Sequence, residues 1–192
     1  RTGKSTFIKK FIENLVVPNI EDEYERKRCL DEIPQTAQGK TIMTIEPKFV
    51  PSTAAKIKVE EFETNIKLVD CVGYLVDNAI GYLEDDMPRM VKTPWSDEEI
   101  PFEKAAEIGT KKVIDEHSTI GILITTDGTV TDIPRQDYIK AEERVVSELK
   151  ALNKPFIILL NSEEPNSSYT VELAEKLSDK YQASVMPINC AE

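Results

Sequence analysis

The chain opens with Arg1-Thr2-Gly3-Lys4-Ser5-Thr6, and this stretch predicts more about the molecule than any other. Gly-Lys-Ser/Thr followed directly by an amphipathic helix is the second half of a phosphate-binding loop. Apolar residues recur after it at three- and four-residue spacing as far as Pro18, which predicts that helix. The sequence therefore predicts a site for a phosphorylated ligand at the start of its first helix.

Each residue type in this loop suits a phosphate. Gly3 lets the backbone approach without a Cβ in the way, and amides at a helix N-terminus favour an anion. Lys4 would contact the β and γ phosphates, and the Ser5 hydroxyl would bind Mg²⁺. The predicted nucleotide-binding residues here are Thr2, Gly3, Lys4, Ser5 and Thr6. The alternative is an ordinary helix N-terminus with Ser5 as its cap.

Composition limits the classes of function. The 192 residues carry a formal net charge of −11, which argues against nucleic acid or an anionic membrane as a broad electrostatic partner. No apolar stretch approaches the roughly 20 residues of a membrane helix. The three cysteines are far apart and the only histidine is His117, so the sequence predicts reduced thiols and neither a histidine metal site nor a Ser-His-Asp triad.

Hydrophobic patterning predicts an α/β fold with a mainly parallel sheet and one antiparallel hairpin. From residue 118 onward, buried strands alternate with amphipathic helices, which is typical of a three-layer fold with helices on both faces of a sheet. Upstream we expect a hairpin whose strands span 56–62 and 66–70 and whose turn is Glu63-Thr64-Asn65. Over 19–33 we expect a charged helix or ordered loop, with a switch-like segment as the alternative. We expect an edge strand or bulge over 41–50, a loop over 74–101, and a helix beginning at Pro101.

A second motif follows the predicted hairpin. Asp70 ends an apolar strand, and Gly73 comes three residues later. In phosphate-loop NTPases such an acid holds Mg²⁺ and such a glycine amide faces the γ-phosphate. Between the two motifs, Thr44 is a candidate third contact to Mg²⁺ and the γ-phosphate, and Thr41 is an alternative to it. Either threonine would equally suit a strand through its β-propensity.

The loops expected to read the base depart from the guanine-specific pattern. In translation-factor-related GTPases an Asn-Lys-x-Asp sequence follows the next-to-last strand, whereas this chain has Asn161-Ser162-Glu163-Glu164. Glu164 would place its carboxylate differently from an aspartate, so adenine becomes plausible. Asn189 and Cys190 match the position of a second base-contacting loop. Tyr74 stands where small GTPases carry a water-orienting glutamine, which predicts slow hydrolysis.

The chain resembles a known family over essentially its whole length. The segments that carry the resemblance are RTGKSTFIKKFIENLVVPNIEDEYER, GKTIMTIEPKFVP, LVDCVGY, GYLEDDMPRMVKTPW, IPFEKAAEIGTKKVI, HSTIGILITTDGTVTDIPR and KPFIILLNS. They are similar to the stage IV sporulation protein A family, the spore-coat morphogenetic ATPases of endospore-forming Firmicutes. The resemblance is specific because the long middle segments are not general NTPase motifs.

This resemblance implies a phosphate-loop NTPase fold of the translation-factor-related GTPase class that hydrolyses ATP with Mg²⁺. It implies nucleotide-driven self-assembly into a coat basement layer on the outer forespore surface, within the mother-cell cytoplasm. It also implies other coat proteins and a small membrane-bound anchoring peptide as partners. By position, Lys4 matches the family's phosphate-loop lysine, Asp70 its acidic motif, and Thr44 with Ile45 its sensor-threonine pair, in which Ile45 lacks the hydroxyl.

We expect residues 1–192 to be a single NTPase domain truncated at its N-terminus, because the first glycine of the loop motif and the preceding strand are missing. The family's middle and C-terminal regions are also absent. Alone, the chain is expected to bind ATP poorly and to stay monomeric. Three other functions remain open: a GTPase switch of the same class, a structural module that binds nucleotide without turnover, and a kinase or other phosphotransferase, for which the sequence shows no acceptor site.

Overall fold

The computed structural model describes residues 2–33, 46–77, 79, 82–84 and 87–192. These residues form two compact units, which are described separately. The hairpin unit comprises residues 3–33, 48–70 and 190–192. The sheet unit comprises residues 2 and 46–47 together with the described residues between 71 and 189.

The hairpin unit packs two helices against two antiparallel strands. Its elements are α1 (Lys4–Phe11), α2 (Glu23–Asp31), β1 (Lys48–Val59) and β2 (Phe62–Asp70). The chain continues from α1 through a π-helical turn and a 3₁₀ turn, Ile12–Val16 and Val17–Asn19. The apolar spacing that predicted the first helix buries Ile8 and Ile12 but leaves Leu15 of the same predicted stripe exposed. The core of the unit consists of Ile8, Ile12, Val16, Val17, Ile20, Cys29, Val50, Ala55 and Ile57.

Helix α2 accounts for the charged segment predicted over 19–33. Asp22 caps it by accepting a hydrogen bond from the Glu25 amide at 2.7 Å. From its C-terminal end, Glu32 accepts hydrogen bonds from the backbone amide and the hydroxyl of Ser52 in β1, at 2.5 and 2.9 Å. The helix is solvated, as its composition predicts, and its acidic residues also tie it to the hairpin.

The hairpin turn lies elsewhere than predicted. The structure places it at Glu60-Glu61, with Glu60 in the left-handed region at φ 55°, whereas Glu63-Thr64-Asn65 lies inside β2. The alternation of Lys56 to Val59 resumes at Phe62 and pairs directly across the hairpin. The ion pair between Lys56 and Glu63, 2.8 Å long, is one of these cross-strand contacts. Cross-strand pairing therefore outweighed the local turn propensity of residues 63–65.

The first part of the sheet unit was predicted as a loop, and this prediction is wrong. Within 74–101 the structure has β3 (Leu83–Glu84) paired with β4 (Met87–Pro88), and β5 (Met90–Thr93) paired with β6 (Ser96–Pro101). Helix α3 (Phe102–Lys112) begins directly after Pro101, as predicted, and continues as a π-helical turn. Val91 of β5 packs with Phe102, Ala105 and Ala106 of this helix, and that contact gives the short strands their core.

The second part of the sheet unit follows the predicted alternation. Strands β7 (Gly121–Thr126), β8 (Phe156–Asn161) and β9 (Val185–Ile188) form a parallel sheet in that order. Helix α4 (Ile139–Ala151), preceded by a 3₁₀ turn over Arg135–Tyr138, connects β7 to β8, and α5 (Ser168–Tyr181) connects β8 to β9. Their shared core consists of Val146, Ile158, Leu160, Ala174, Leu177 and Tyr181.

The α/β class is confirmed, with two differences. The parallel sheet of the described residues has three strands, and these residues contain three antiparallel pairs instead of one. Residues 41–45 of the predicted edge strand lie outside the described residues, and 48–50 begin β1. In the part of the chain that the structure describes, no helix has both the length and the apolar content needed to cross a membrane.

Ile12 is completely buried in the hairpin unit, whereas Leu15, three residues later, is 38% exposed. We expect Ile12→Ala to lower the free energy of unfolding by about 2–5 kcal/mol, since it removes buried methylenes and leaves a cavity. Leu15→Ala is the matched control and is expected to cost less than about 1 kcal/mol. Urea denaturation measures both, and equal losses would contradict the difference in burial between Ile12 and Leu15.

Candidate functional site

The N-terminus of α1 has the backbone expected of a phosphate-binding turn. Gly3 is the residue before the helix and adopts φ 95° and ψ 12°, a left-handed conformation that side chains disfavour. Its carbonyl accepts the first helical hydrogen bond, from the Phe7 amide at 2.8 Å. No side chain caps this end of the helix, so the alternative in which Ser5 serves as an ordinary cap does not describe it.

The Ser5 side chain instead reaches the second motif. Its hydroxyl donates a hydrogen bond of 2.7 Å to Oδ2 of Asp70. Asp70 is the last residue of β2 and pairs with Lys48 of β1, so the hairpin fixes its backbone. Both side chains are partly buried. The hairpin unit therefore joins two of the three predicted metal-binding residues in one contact, and the third, Thr44, lies outside the described residues.

This pair of oxygens fits Mg²⁺ better than a softer metal. Mg²⁺ prefers oxygen ligands and is commonly held by one or two protein groups together with phosphate oxygens and water. Ser5 and Asp70 supply one hydroxyl and one carboxylate. Among the residues that the structure describes, no group of three or more His, Cys, Asp or Glu side chains could hold a metal by itself. A cation at this pair would therefore depend on a phosphorylated ligand for its other contacts.

The segment after Asp70 enters the sheet unit and packs against α4. Gly73 has φ 82°, which a residue with a Cβ would adopt only with strain. The Tyr74 hydroxyl donates to the Glu148 carboxylate, and the Arg144 guanidinium lies 4.0 Å from the Tyr74 ring centroid. Burial, followed by the contact with Glu148, raises the pKa of Tyr74. The hydroxyl that stands at the position of a water-orienting glutamine is thus bound to a helix.

Two further contacts hold the same segment. The Lys140 ammonium lies 2.7 Å from the Asp77 carboxylate, and the Asp77 amide donates to the carbonyl of Asp137 at 3.2 Å. The hydrogen bond between Tyr74 and Glu148 is partly buried, whereas the ion pair between Lys140 and Asp77 is exposed. Exposed ion pairs contribute little stability. The Tyr74–Glu148 bond is therefore the main side-chain anchor of this segment.

The predicted base-reading loop begins with a buried anchor. Asn161, 5% exposed, donates from Nδ2 to the carbonyl of Thr2 at 3.0 Å, and Thr2 directly precedes Gly3 in the chain. Ser162 is fully buried, and its Oγ accepts a hydrogen bond from the Glu164 amide at 3.0 Å. Glu163 and Glu164 themselves are exposed. The loop thus has a fixed backbone and presents two carboxylates to solvent.

Asp127 follows β7, is 5% exposed and belongs to none of the motifs that predicted the site. Its Oδ1 accepts hydrogen bonds from the amide and the hydroxyl of Thr129 at 2.9 and 2.6 Å, and its Oδ2 accepts from the Thr170 hydroxyl at 3.0 Å. Burial alone would raise the pKa of Asp127, but the neighbouring hydroxyls of Ser162, Thr129 and Thr170 and the Thr129 amide outweigh it and lower the pKa. An acid directly after a near-continuous apolar strand was the available signal.

The remaining predicted residues are placed as follows. Asn189 is half-buried at the end of the sheet unit, and Cys190 is buried in the hairpin unit, where burial raises the pKa of its thiol to about 11. Lys4 and Thr6 are half-buried in the first turns of α1. Thr44 and its alternative Thr41 lie outside the described residues. The structure brings Ser5 to Asp70 and Asn161 to Thr2, and the roles of all these residues stay predictions.

Comparison with known proteins identifies relatives over the whole chain. A family model described as stage IV sporulation protein A, ATPase domain, matches residues 1–192. Proteins named stage IV sporulation protein A are 59% identical in Bacillus anthracis over 98% of this chain, 57% in Bacillus subtilis (strain 168) over 98%, and 54% in Clostridioides difficile (strain 630) over 100%. The chain spans 39% of the length of each of these relatives. No solved structure matches.

The depressed pKa of Asp127 predicts a pH-dependent stability. Its ionised form stabilises the fold fully above the ordinary aspartate pKa of about 4, and this contribution is lost as the pH falls through the lower folded pKa. Asp127→Asn is expected to cost about 1–3 kcal/mol at pH 7, because it disturbs a buried hydrogen-bonded charge. The difference from wild type should narrow below about pH 4, where the wild-type side chain also becomes neutral.

Urea denaturation between pH 7 and pH 3 measures this difference. The control is Asp132→Asn, an exposed aspartate in the same loop that carries the same change of charge. A cost for Asp127→Asn that stays constant down to pH 3 would contradict the assignment of an ionised Asp127.

Proposed function

Because this chain belongs to the family of stage IV sporulation protein A ATPase domains, we propose that it binds and hydrolyses ATP with Mg²⁺. The observation that carries the proposal is the hydrogen bond between Ser5 and Asp70. A phosphate-loop hydroxyl and an acidic-motif carboxylate at 2.7 Å are within reach of a common cation. A helix start without this partner would favour a phosphate, but it would not supply the metal contact.

Most of the proposed contacts to the triphosphate come from residues of the hairpin unit. The amides from Gly3 to Thr6 would donate to phosphate oxygens, and Lys4 would offset the charge of the β and γ phosphates. Ser5 and Asp70 would hold Mg²⁺, which when bound neutralises the charge that develops during phosphoryl transfer. The proposal also gives Thr44 a contact to Mg²⁺ and the γ-phosphate, and Gly73 an amide contact to the γ-phosphate.

The base would be read by the loops that follow β8 and β9. Asn161 supports the loop backbone through its bond to Thr2, and Glu164 presents an exposed carboxylate. Asn189 and Cys190 would line the second base-contacting loop. Ser162, which stands where guanine readers have lysine, is fully buried and bonded to the loop itself. Its burial supports a base site unlike the guanine-specific one.

Turnover is proposed to be slow because the Tyr74 hydroxyl is bound to Glu148 and is not available to orient an attacking water. We further propose that this turnover drives self-assembly of the full-length protein into the spore-coat basement layer. In this proposal the layer lies on the forespore surface in the mother-cell cytoplasm. Its other partners would be coat proteins and a small membrane-bound anchoring peptide, bound through regions outside this chain.

Substitution of the metal pair tests the proposal. In the full-length protein, Ser5→Ala and Asp70→Asn are each expected to weaken Mg²⁺-dependent ATP binding at least tenfold, which is about 1.4 kcal/mol. Ser5→Thr retains the hydroxyl and should bind within about threefold of wild type. Asp31→Asn, an exposed aspartate of the same unit, controls for the change of charge. Titration calorimetry with and without Mg²⁺ measures all four.

If Ser5→Ala binds ATP as tightly as Ser5→Thr in Mg²⁺, the hydroxyl has no metal-binding role. Lys4→Ala should abolish binding with or without Mg²⁺, since it removes the main charge on the phosphates. Thr44→Ala should reduce hydrolysis more than binding. Equal loss of binding in Thr44→Ala and Lys4→Ala would assign Thr44 a structural role.

Base preference is the second test. We expect the full-length protein to bind and hydrolyse ATP in preference to GTP, because Glu164 and Ser162 replace the guanine-reading residues. Glu164→Asp should shift the ratio of the dissociation constants toward GTP, whereas Glu163→Asp, its exposed neighbour, should not. Competition binding and a turnover assay with both nucleotides measure this. A tenfold preference for GTP would favour a GTPase switch, and binding without turnover would favour a structural module.

A further inference from the structure

We propose that Asp127 is a positioning residue for base recognition, which sets the direction of the hydrogen bonds that hold the loop 161–164. This inference rests on the proposed function, since that loop is the proposed base reader. It assigns a role to an acid outside every motif that predicted the site. Asp127 is buried next to the loop, at a point where the carboxyl ends of two parallel strands adjoin.

The sheet register brings Asp127 to the loop. Thr126, the last residue of β7, pairs with Asn161, the last residue of β8. The Asp127 amide then donates to the Asn161 carbonyl at 3.3 Å. The carboxylate is therefore held one residue beyond the strand end, beside the residues that begin the loop. Loops at the carboxyl ends of parallel strands are where α/β folds bind ligands.

The chemistry of the carboxylate fixes the direction of the surrounding bonds. An ionised carboxylate can only accept hydrogen bonds, so each hydroxyl bonded to it must donate its single proton to it. The Thr129 hydroxyl does so at 2.6 Å and is left with lone pairs that accept a bond from the Glu163 amide at 3.0 Å. Asp127 thus orients Thr129 as an acceptor for the loop backbone.

A second route runs through Ser162. The Thr170 hydroxyl donates its proton to the Asp127 carboxylate at 3.0 Å, so in its 3.2 Å contact with the Ser162 Oγ it can only accept. The Ser162 hydroxyl then donates to Thr170, and its lone pairs accept a hydrogen bond from the Glu164 amide at 3.0 Å. The amides of both Glu163 and Glu164 are consequently held by hydroxyls that Asp127 orients.

This arrangement bears on specificity because the exposed Glu164 side chain forms no hydrogen bond or ion pair with another described residue, so its backbone sets its position. A carboxylate that reads hydrogen-bond donors of a base must be held within roughly half an ångström of the productive geometry. An asparagine at position 127 would donate from its amide nitrogen and reverse the bond to one hydroxyl. That hydroxyl would then accept a hydrogen bond from the asparagine and point its own proton toward the loop amide. Two hydrogen-bond donors would then face each other.

The experiment compares a nucleotide with a ligand that lacks a base. Dissociation constants for ATP and for inorganic tripolyphosphate, both with Mg²⁺, are measured on the full-length protein, and their ratio reports the contribution of the base. Thr129→Val removes, at an exposed position, the hydroxyl that connects Asp127 to the Glu163 amide, and Thr129→Ser retains this hydroxyl. Asp127→Asn removes the carboxylate that orients the hydroxyl, with Asp132→Asn as the control for the change of charge.

We expect Thr129→Val and Asp127→Asn to reduce this ratio by about fivefold or more and to leave tripolyphosphate binding within about twofold of wild type. Thr129→Ser and Asp132→Asn should keep the wild-type ratio. A purely structural role would weaken both ligands together and would overturn the inference. If Asp127→Asn does not fold, Thr129→Val against Thr129→Ser decides the question.

Two other results separate this inference from the proposed function. If the wild type favours ATP over tripolyphosphate and Thr129→Val keeps that preference, the role of Asp127 is overturned and the nucleotide site stands. If the wild type binds tripolyphosphate as tightly as ATP, no base is read and both the base-reading proposal and this inference fall. If it binds neither ligand, the proposed function itself fails.

Discussion

The hydrogen bond from Ser5 to Asp70 depends on two backbone conditions, and the proposed chemistry depends on that bond. The first condition is the left-handed conformation of Gly3, which starts α1 so that Ser5 lies in its first turn. The second is the β1–β2 pairing, which ends at Asp70 opposite Lys48. The apolar core between α1 and the hairpin satisfies both conditions at once, since Ile8 and Val50 belong to one cluster. The Ser5–Asp70 pair is therefore held by packing and not by loop residues alone.

The sheet unit uses polar contacts for the same purpose. Asn161 fixes the start of the loop through the Thr2 carbonyl, and Asp127 holds the loop backbone through hydroxyls. Buried polar groups are costly unless each has a partner, so a network of this kind specifies one loop conformation. Tyr74 is held in the same way by Glu148. Rigid anchors behind exposed side chains are the arrangement that the proposed role of Glu164 in base recognition requires.

Much of the fold could be predicted from the sequence, and the features that could not be predicted depend on tertiary contacts. The helix after Gly3 and the alternation from residue 118 were predictable because apolar spacing alone specifies which face is buried. The hairpin turn was misplaced because Glu63-Thr64-Asn65 resembles a turn locally, while the cross-strand partner that prevents it is set by tertiary pairing. The strands within 74–101 were missed because they are short, and β5 depends on Phe102 for burial. Asp127 belongs to no motif, and its importance appears only when β7 and β8 adjoin.

The central claim is that Ser5 and Asp70 hold the metal of a bound nucleotide. Iron-mediated cleavage tests it most directly, because Fe²⁺ substituted for Mg²⁺ reacts with added hydrogen peroxide and ascorbate to give hydroxyl radicals that cut the backbone next to the metal. In the full-length protein with ATP, the account predicts cuts near residue 5 and near residue 70 that excess Mg²⁺ suppresses and that Asp70→Asn removes. ATP-dependent cuts elsewhere, with none at these two positions, would contradict it.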